Sequence, residues 1–520
     1  LPGDWVGWAY LDEGGDLPLR LRLTAGPEGL AARFDELVAR RYDLPVQHLA
    51  WDGATLRLER TRPGGGSIRL EGTLRGHAIR GRLDWLGHAA DFELLRSPHL
   101  LARIPPERWE GIPGTYRLGP GRSLVLTSRF WGELLVTDLA TGRHGTLFPL
   151  DTDLFFLGAA LYAPAPAAAR LRFHRDEEGE VTAVEWQEGE GEPITGERIP
   201  FVEEEVSFES DGVRLAGTLL RPAGSAPLPA AAVLGGSDWT EREGTRRDAS
   251  ILASFGMATL IYDKRGFGES GGEAVVSFHQ TARDAAAAAA WLAGRPDVLP
   301  GQVGLTGRSR SGWTAPLAAS LAPQAAFLVL FVPPAVSPAA QETTRRLHLL
   351  ADRGFSPDQR ELAAEMLAAA WRFAATGEGW QEYAELRRRA ASAGLPEEEV
   401  LEPAAADDPE WQWTRLNMAY DPLPVLEDLR TPLLALFGER DRNVVVAENL
   451  PRMRAALERG GHPDFELRVV PGADHGLRMV LEDGDVPPHR RVGFGPAGWP
   501  DVAAWLAARL DLWGSPADAP

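Results

Sequence analysis

The sequence predicts an α/β protein with three parts: two small antiparallel β domains, over 1–97 and 98–198, and then a doubly wound, mostly parallel sheet over 199–520. Three observations carry this reading. Up to about residue 198, short runs alternate apolar and polar residues with turn residues between them, the period of strands buried on one face. From about 201, short apolar runs alternate with helical stretches, which is the grammar of a parallel sheet covered on both faces. One long helical stretch, about 335–420, interrupts that alternation, and we read it as a cap inserted between two sheet strands.

The bulk composition agrees. A chain of 520 residues exceeds what one core organises, so several domains are expected. Hydrophobic content of 44% and charged content of 25% are those of a folded, water-soluble chain. A net charge of −20 argues against nucleic acid and against docking on anionic lipid, since both require a basic surface. The absence of cysteine excludes disulfides, thiolate catalysis and cysteine zinc sites. The longest apolar runs, such as 325–332, fall far short of the roughly 20 residues of a membrane span. Lys264 is the only lysine; every other basic residue in the Lys+Arg count is arginine. The chain starts at Leu1 without Met, which suggests an exported form, secreted or periplasmic, with a cytoplasmic protein as the alternative.

In the first β domain the strands are read at 19–23, 56–59, 68–74 and 78–83, with turn clusters such as 63–66 between them. Trp5 and Trp8 are assigned to core packing rather than to a pocket. In the second, strands are read at 116–118, 123–127, 133–138 and 181–188, with a Phe-rich stretch at 154–156. Residues 189–200 are polar and Gly-rich and read as a linker. The α/β region opens with a hairpin over 205–209 and 213–221. Strands follow at 230–234, 258–262, 302–306, 326–332, 433–437 and 465–470. Helices are read at 241–255, 278–293, 311–321, 446–459 and 500–510.

The chemistry lies in 303–313, Val-Gly-Leu-Thr-Gly-Arg-Ser-Arg-Ser-Gly-Trp. A strand runs into a Gly-x-Ser turn and then a helix, the arrangement that lifts a serine hydroxyl above a sheet. Ser309 is therefore the candidate nucleophile. Ser311 stands where such turns usually carry a second glycine, so some strain is expected there. A hydroxyl needs a base, and His475 follows the strand at 465–470. The acid expected behind the base is Asp441, in the turn after 433–437, with Glu439 and Asp474 as rivals. Taken singly, a histidine after a strand is usually structural and an aspartate in a turn is usually a turn former. Three such residues in the chain order Ser, Asp, His, each after a strand, point instead to a catalytic triad. Oxyanion donors are expected from the backbone of Arg310 and of Ser237, in the loop 235–239.

These residues carry a resemblance. Tyr262-Asp263-Lys264-Arg265-Gly266-Phe267-Gly268-Glu269-Ser270, the elbow with Trp313 and 315–319, the stretch 420–424, and the turns at Asp441 and His475 resemble bacterial α/β-hydrolase esterases related to acetyl-xylan esterases and dienelactone hydrolases. The resemblance covers about 203–512 and implies ester hydrolysis of a small molecule. It departs from that group at Gly235-Gly236, where His-Gly is common, and at Arg308 and Arg310, where His and Gln flank the nucleophile. Either arginine could receive a substrate carboxylate; the plainer expectation is pairing with structural acids such as Asp263 or Glu269. Asp263 and Arg265 are read as braces of their loop. No phosphate loop, zinc motif or dinucleotide fingerprint is present, and no metal or organic cofactor is implied. A peptidase on the same scaffold would need carboxylates for the substrate amine, for which Asp238, Glu241 and Glu243 are the candidates. An inactive ligand-binding protein is the remaining alternative, and the intact Ser, Asp, His series speaks against it.

Overall fold

The computed structural model describes residues 1–520 except 12–15, 28, 63–64, 120, 129–132, 159–162, 225–226, 238–239, 397–402, 478, 481–491, 494–497 and 513–520. The chain divides into two compact units, one of 1–199 with 491–494 and one of 200–490 with 495–520.

The first unit holds two antiparallel sheets. Residues 3–96 form nine strands in one sheet. Its core is built from alternate inward residues such as Leu19, Leu21 and Leu23, and Trp5 and Trp8 are buried. Residues 114–199 form a closed eight-stranded barrel. Its interior is packed with Tyr116, Phe155, Phe173 and Trp186. Closure corrects one expectation. Residues 189–200 are not a linker throughout, because Ile194–Ile199 is the last barrel strand and pairs with Gly114–Gly119. Gly196, within that stretch, is there for space: a Cβ at this position would meet Leu118 Cδ2 at 2.8 Å and the Arg117 carbonyl at 3.0 Å.

The second unit is built on an eight-stranded sheet. Its strands are β1 (Phe201–Ser210), β2 (Val213–Pro222), β3 (Leu228–Leu234), β4 (Ala258–Tyr262), β5 (Val298–Arg308), β6 (Ala325–Phe331), β7 (Leu433–Gly438) and β8 (Phe465–Val470), in the order β1-β2-β4-β3-β5-β6-β7-β8. β1 pairs antiparallel with β2, and β2 with β4. Every later pairing is parallel. Strands β3 and β7 are buried along their whole length. That is why they read as continuous apolar runs rather than alternating ones.

Among the connecting helices are α1 (Arg246–Ser254), α2 (Phe278–Ala293) and α3 (Ser311–Leu321). The Ser277 hydroxyl caps α2 by accepting from the Gln280 N–H at 3.2 Å. Ala282, Ala285, Ala288 and Ala289 of α2 are buried, so the helix approaches the sheet closely. Between β6 and β7 lies a helical insertion with α4 (Pro338–Asp352), α5 (Pro357–Thr376), α6 (Trp380–Ser392) and α7 (Trp411–Asn417). It has its own apolar centre around Phe373, Tyr383 and Trp411. Among the described residues, no helix is long and apolar enough to cross a membrane.

Candidate active site

Ser309 occupies the two-residue turn between β5 and α3. Its φ is +54°, a left-handed conformation that costs a non-glycine residue on the order of 1–3 kcal/mol and survives only where neighbours enforce it. Those neighbours are visible. The Ser309 N–H donates to the Phe331 carbonyl at 2.9 Å, and the Gly312 N–H donates to the Ser309 carbonyl at 2.7 Å. The small residues that the turn requires are Gly307 and Gly312. A Cβ on Gly307 would lie 2.6 Å from Ser311 Cβ, and one on Gly312 would lie 2.6 Å from Pro333 Cα. Ser311 is thus accommodated because residue 307 has no side chain. The strain of the turn falls on Ser309, and the Ser311 hydroxyl donates to the Gly235 carbonyl at 2.7 Å and ties the elbow to the facing loop.

The structure brings the three triad candidates together. His475 Nε2 lies 3.0 Å from Ser309 Oγ, and His475 Nδ1 lies 2.8 Å from Asp441 Oδ2. The Asp441 side chain is fully buried, whereas His475 is partly open. Asp441 Oδ1 also accepts from the Asn443 and Val444 N–H groups, both at 2.8 Å. A carboxylate so held selects the imidazole tautomer with its proton on Nδ1, which leaves Nε2 to accept from a hydroxyl. The rival acids have other tasks. Glu439 accepts from the Gly472 N–H at 2.7 Å, and Asp474 accepts from the Gly476 N–H at 2.8 Å. Both brace the turns around the histidine.

The loop after β3 runs beside the elbow. A Cβ on Gly236 would stand 3.7 Å from Ser309 Cβ. Ser237, the expected second oxyanion donor, accepts at Oγ from Arg310 Nε at 3.2 Å. Arg310, whose backbone is the other expected donor, is the N-cap residue of α3. A cavity of about 360 Å³ opens next to these residues. Its walls include Gly235, Ser237, Glu241, Lys264, Arg310 and Trp413; Ser309 stands just outside them. Tyr262 and Arg265 also line it. Burial pushes the Tyr262 hydroxyl far above its ordinary range, so it stays protonated. The hydrogen bond from Arg265 to Asp284 raises the guanidinium further, against the opposing effect of burial. An aromatic group adjoins the cavity: Phe278 stacks on Trp313 at 5.3 Å and meets Trp413 and Tyr420 edge-on.

The two arginines around Ser309 behave differently. Arg308 is buried, its Nε and Nη2 each 3.4 Å from Asp248 Oδ2 and its guanidinium 4.9 Å from the centre of the Phe331 ring. Pairing with a structural acid is what the sequence led us to expect, but the partner is Asp248 on α1. Asp263 and Glu269 are instead engaged by Arg242. The Arg310 guanidinium lies over Trp413 at 5.1 Å. Asp263 and Arg265 are braces, as read. Asp263 accepts from the Arg242 and Glu269 N–H groups, and Arg265 grips Asp284 and the Ser210 carbonyl. Removing one member of a buried pair strands the other charge. Arg308→Ala is therefore expected to lower stability by about 3–5 kcal/mol in a denaturant melt. The relative rates on neutral and anionic substrates should not change.

Two contacts of the site escaped the sequence reading, namely those of Ser311 with Gly235 and of Lys264 with Gly236. The available signal for the second was that the only lysine of the chain falls in the loop just after β4.

The strand order, with Ser309 after β5, Asp441 after β7 and His475 after β8, defines an α/β-hydrolase. Within that class, residues 211–475, just over half of the chain, match the model of the X-Pro dipeptidyl-peptidase (S15) family, and the protein belongs to that family. It is a serine hydrolase. Among curated proteins, none matches the sequence. Similar solved structures include an esterase of Pyrococcus furiosus, at 19% identity and a TM-score of 0.35, with 53% of this chain and 84% of that one covered. Another is an α/β hydrolase of a Penicillium species, at 22% identity and a TM-score of 0.36, covering 53% and 91%. Likeness at this level carries no argument about substrate.

Proposed function

We propose that the protein cleaves carboxylic esters of small molecules through an acyl-enzyme on Ser309. The Ser309 hydroxyl attacks the ester carbonyl and His475 Nε2 takes its proton. The carbonyl oxygen becomes an oxyanion, received by the N–H groups of Arg310 and Ser237. Collapse breaks the bond to the alcohol, which leaves with the proton from His475. Water then attacks the acyl-enzyme by the same route and releases the acid. Asp441 holds the imidazole and stabilises its charge. In this reading 199–520 is the catalytic domain, 335–420 is a cap that shapes the acyl pocket, and 1–97 and 98–198 are accessory β domains.

The lining of the cavity carries the choice of ester over peptide. A dipeptidyl-peptidase must seat the ammonium of its substrate, which requires carboxylates. Among the described residues, the carboxylates that line the cavity are Glu241 and Asp284, and Asp284 is paired bidentately with Arg265. Of the other acids considered, Glu243 is bound by Arg246 and Asp238 lies outside the described residues. The same walls present the cationic side chains of Lys264, Arg265 and Arg310. The motif likeness to small-molecule esterases points the same way. The family match favours a second reading, an X-Pro peptidase, with the aromatic group around Phe278 receiving the proline ring. Turnover of p-nitrophenyl butyrate with none of Ala-Pro-p-nitroanilide is the expected result. Fast turnover of that anilide, abolished by acetylating its amine, would replace the ester reading with the peptidase one.

A further inference from the structure

The peptide bond between Gly236 and Ser237 carries two groups of opposite use. Its N–H, on Ser237, is the donor proposed for the oxyanion. Its carbonyl, on Gly236, accepts a hydrogen bond from Lys264 Nζ. In a trans peptide the C=O and N–H point in opposite directions and belong to one rigid plane. A cation that grips the carbonyl therefore fixes where the N–H points. It also polarises the peptide, which strengthens the N–H as a donor.

The backbone of Lys264 holds the same loop farther along. Its N–H donates to the Thr240 carbonyl at 2.8 Å. The preceding residue continues the grip, since Asp263 Oδ1 accepts from the Arg242 N–H at 2.8 Å. Lys264 is half-buried and follows β4, a central strand of the sheet, so its anchor is stiff. Ser311 holds the neighbouring carbonyl of Gly235 at 2.7 Å, and Arg310 Nε holds Ser237 Oγ at 3.2 Å. Three consecutive loop residues are thus each fixed by a side chain. The ammonium applies a full positive charge to the peptide that carries the proposed donor. The chain otherwise uses arginine as its basic residue throughout. A planar guanidinium cannot replace a compact ammonium at a single carbonyl without more room.

We propose that Lys264 is a positioning residue for the oxyanion hole: by gripping the Gly236 carbonyl it aims and polarises the Ser237 N–H. This rests on the proposal that Ser309 is acylated, not on whether the substrate is an ester or a peptide. Removing a direct oxyanion donor costs about 10²–10³ in kcat, so an indirect loss of aim is expected to cost about 10- to 100-fold. The test compares wild type, Lys264→Met and Lys264→Arg. Three readouts are used: the rate of Ser309 labelling by a fluorophosphonate, kcat and KM on p-nitrophenyl butyrate, and the affinity of an alkylboronic acid that mimics the tetrahedral intermediate. Lys264→Met is expected to slow labelling, to lower kcat at nearly constant KM, and to weaken boronate binding by the same factor. Lys264→Arg is expected to recover part of each. A folded Lys264→Met protein that labels at the wild-type rate would overturn the proposal. So would a fall in kcat that boronate affinity does not follow, because that marks a merely structural role. Wild type that resists the fluorophosphonate would instead remove Ser309 as nucleophile, and the proposal with it. Labelling without butyrate turnover would sink only the ester reading.

Discussion

Ser309→Ala is expected to lower kcat on a short p-nitrophenyl ester by about 10⁴- to 10⁶-fold, the range that follows removal of a triad nucleophile. The size of the effect follows from the geometry. His475 Nε2 is 3.0 Å from Ser309 Oγ, within the reach of direct proton transfer. Ser311, two residues on, cannot substitute, because its hydroxyl is buried and donates to the Gly235 carbonyl. The measurement is steady-state turnover with a fluorophosphonate titration of active sites, so that trace wild type is not mistaken for residual activity. KM should change little, since removing one hydroxyl leaves the cavity walls in place. A variant that keeps more than about a hundredth of the wild-type kcat would show that a different group attacks, since loss of a triad nucleophile costs far more.

The parts of the molecule that could be read in advance share a physical trait: their pattern is local. The limits of α2 are marked by the Ser277 cap and by Gly294. The limits of the helix Val446–Arg459 and of β8 also match the sequence reading, at the ends of clear periodic or apolar runs. Ser309, Asp441 and His475 could be proposed together because each follows a strand in a fixed chain order. What failed to show depends on distant neighbours. The barrel strand His144–Asp151 has buried residues from 144 to 149 without a break, so it lacks the alternation that betrays a strand with one wet face. The strand Ile194–Ile199 lies in a Gly-rich stretch, and the reason for its Gly196 is the closeness of Leu118 and Arg117 on the adjoining strand. Arg308 was expected to find an acid, but nothing in its own segment names Asp248, 60 positions earlier. The grip of Lys264 on Gly236 crosses from one β-strand end to the next. Such contacts are decided by register in the sheet, which composition and periodicity do not encode.

Asp441→Asn is expected to lower kcat by about 10⁴-fold with KM and the melting temperature nearly unchanged. Asparagine is the right probe because the carboxylate has two separable duties. Oδ1 accepts from the Asn443 and Val444 N–H groups and so builds the turn, and an amide oxygen can do the same. Oδ2 meets His475 Nδ1 at 2.8 Å, and here the amide presents N–H instead of a lone pair. Nδ1 must then become the acceptor, which moves the ring proton to Nε2 facing Ser309. In that tautomer the imidazole cannot take the hydroxyl proton. Asp441→Ala would mix this effect with the loss of both turn bonds, at about 1–3 kcal/mol for each buried group left unsatisfied. The contrast between the two variants therefore separates catalysis from folding. If Asp441→Asn stayed within about tenfold of wild type, well short of what the wrong tautomer costs, the imidazole would be oriented from elsewhere. Glu439 and Asp474, each bonded to a backbone N–H beside the histidine, would then be the next positions to replace.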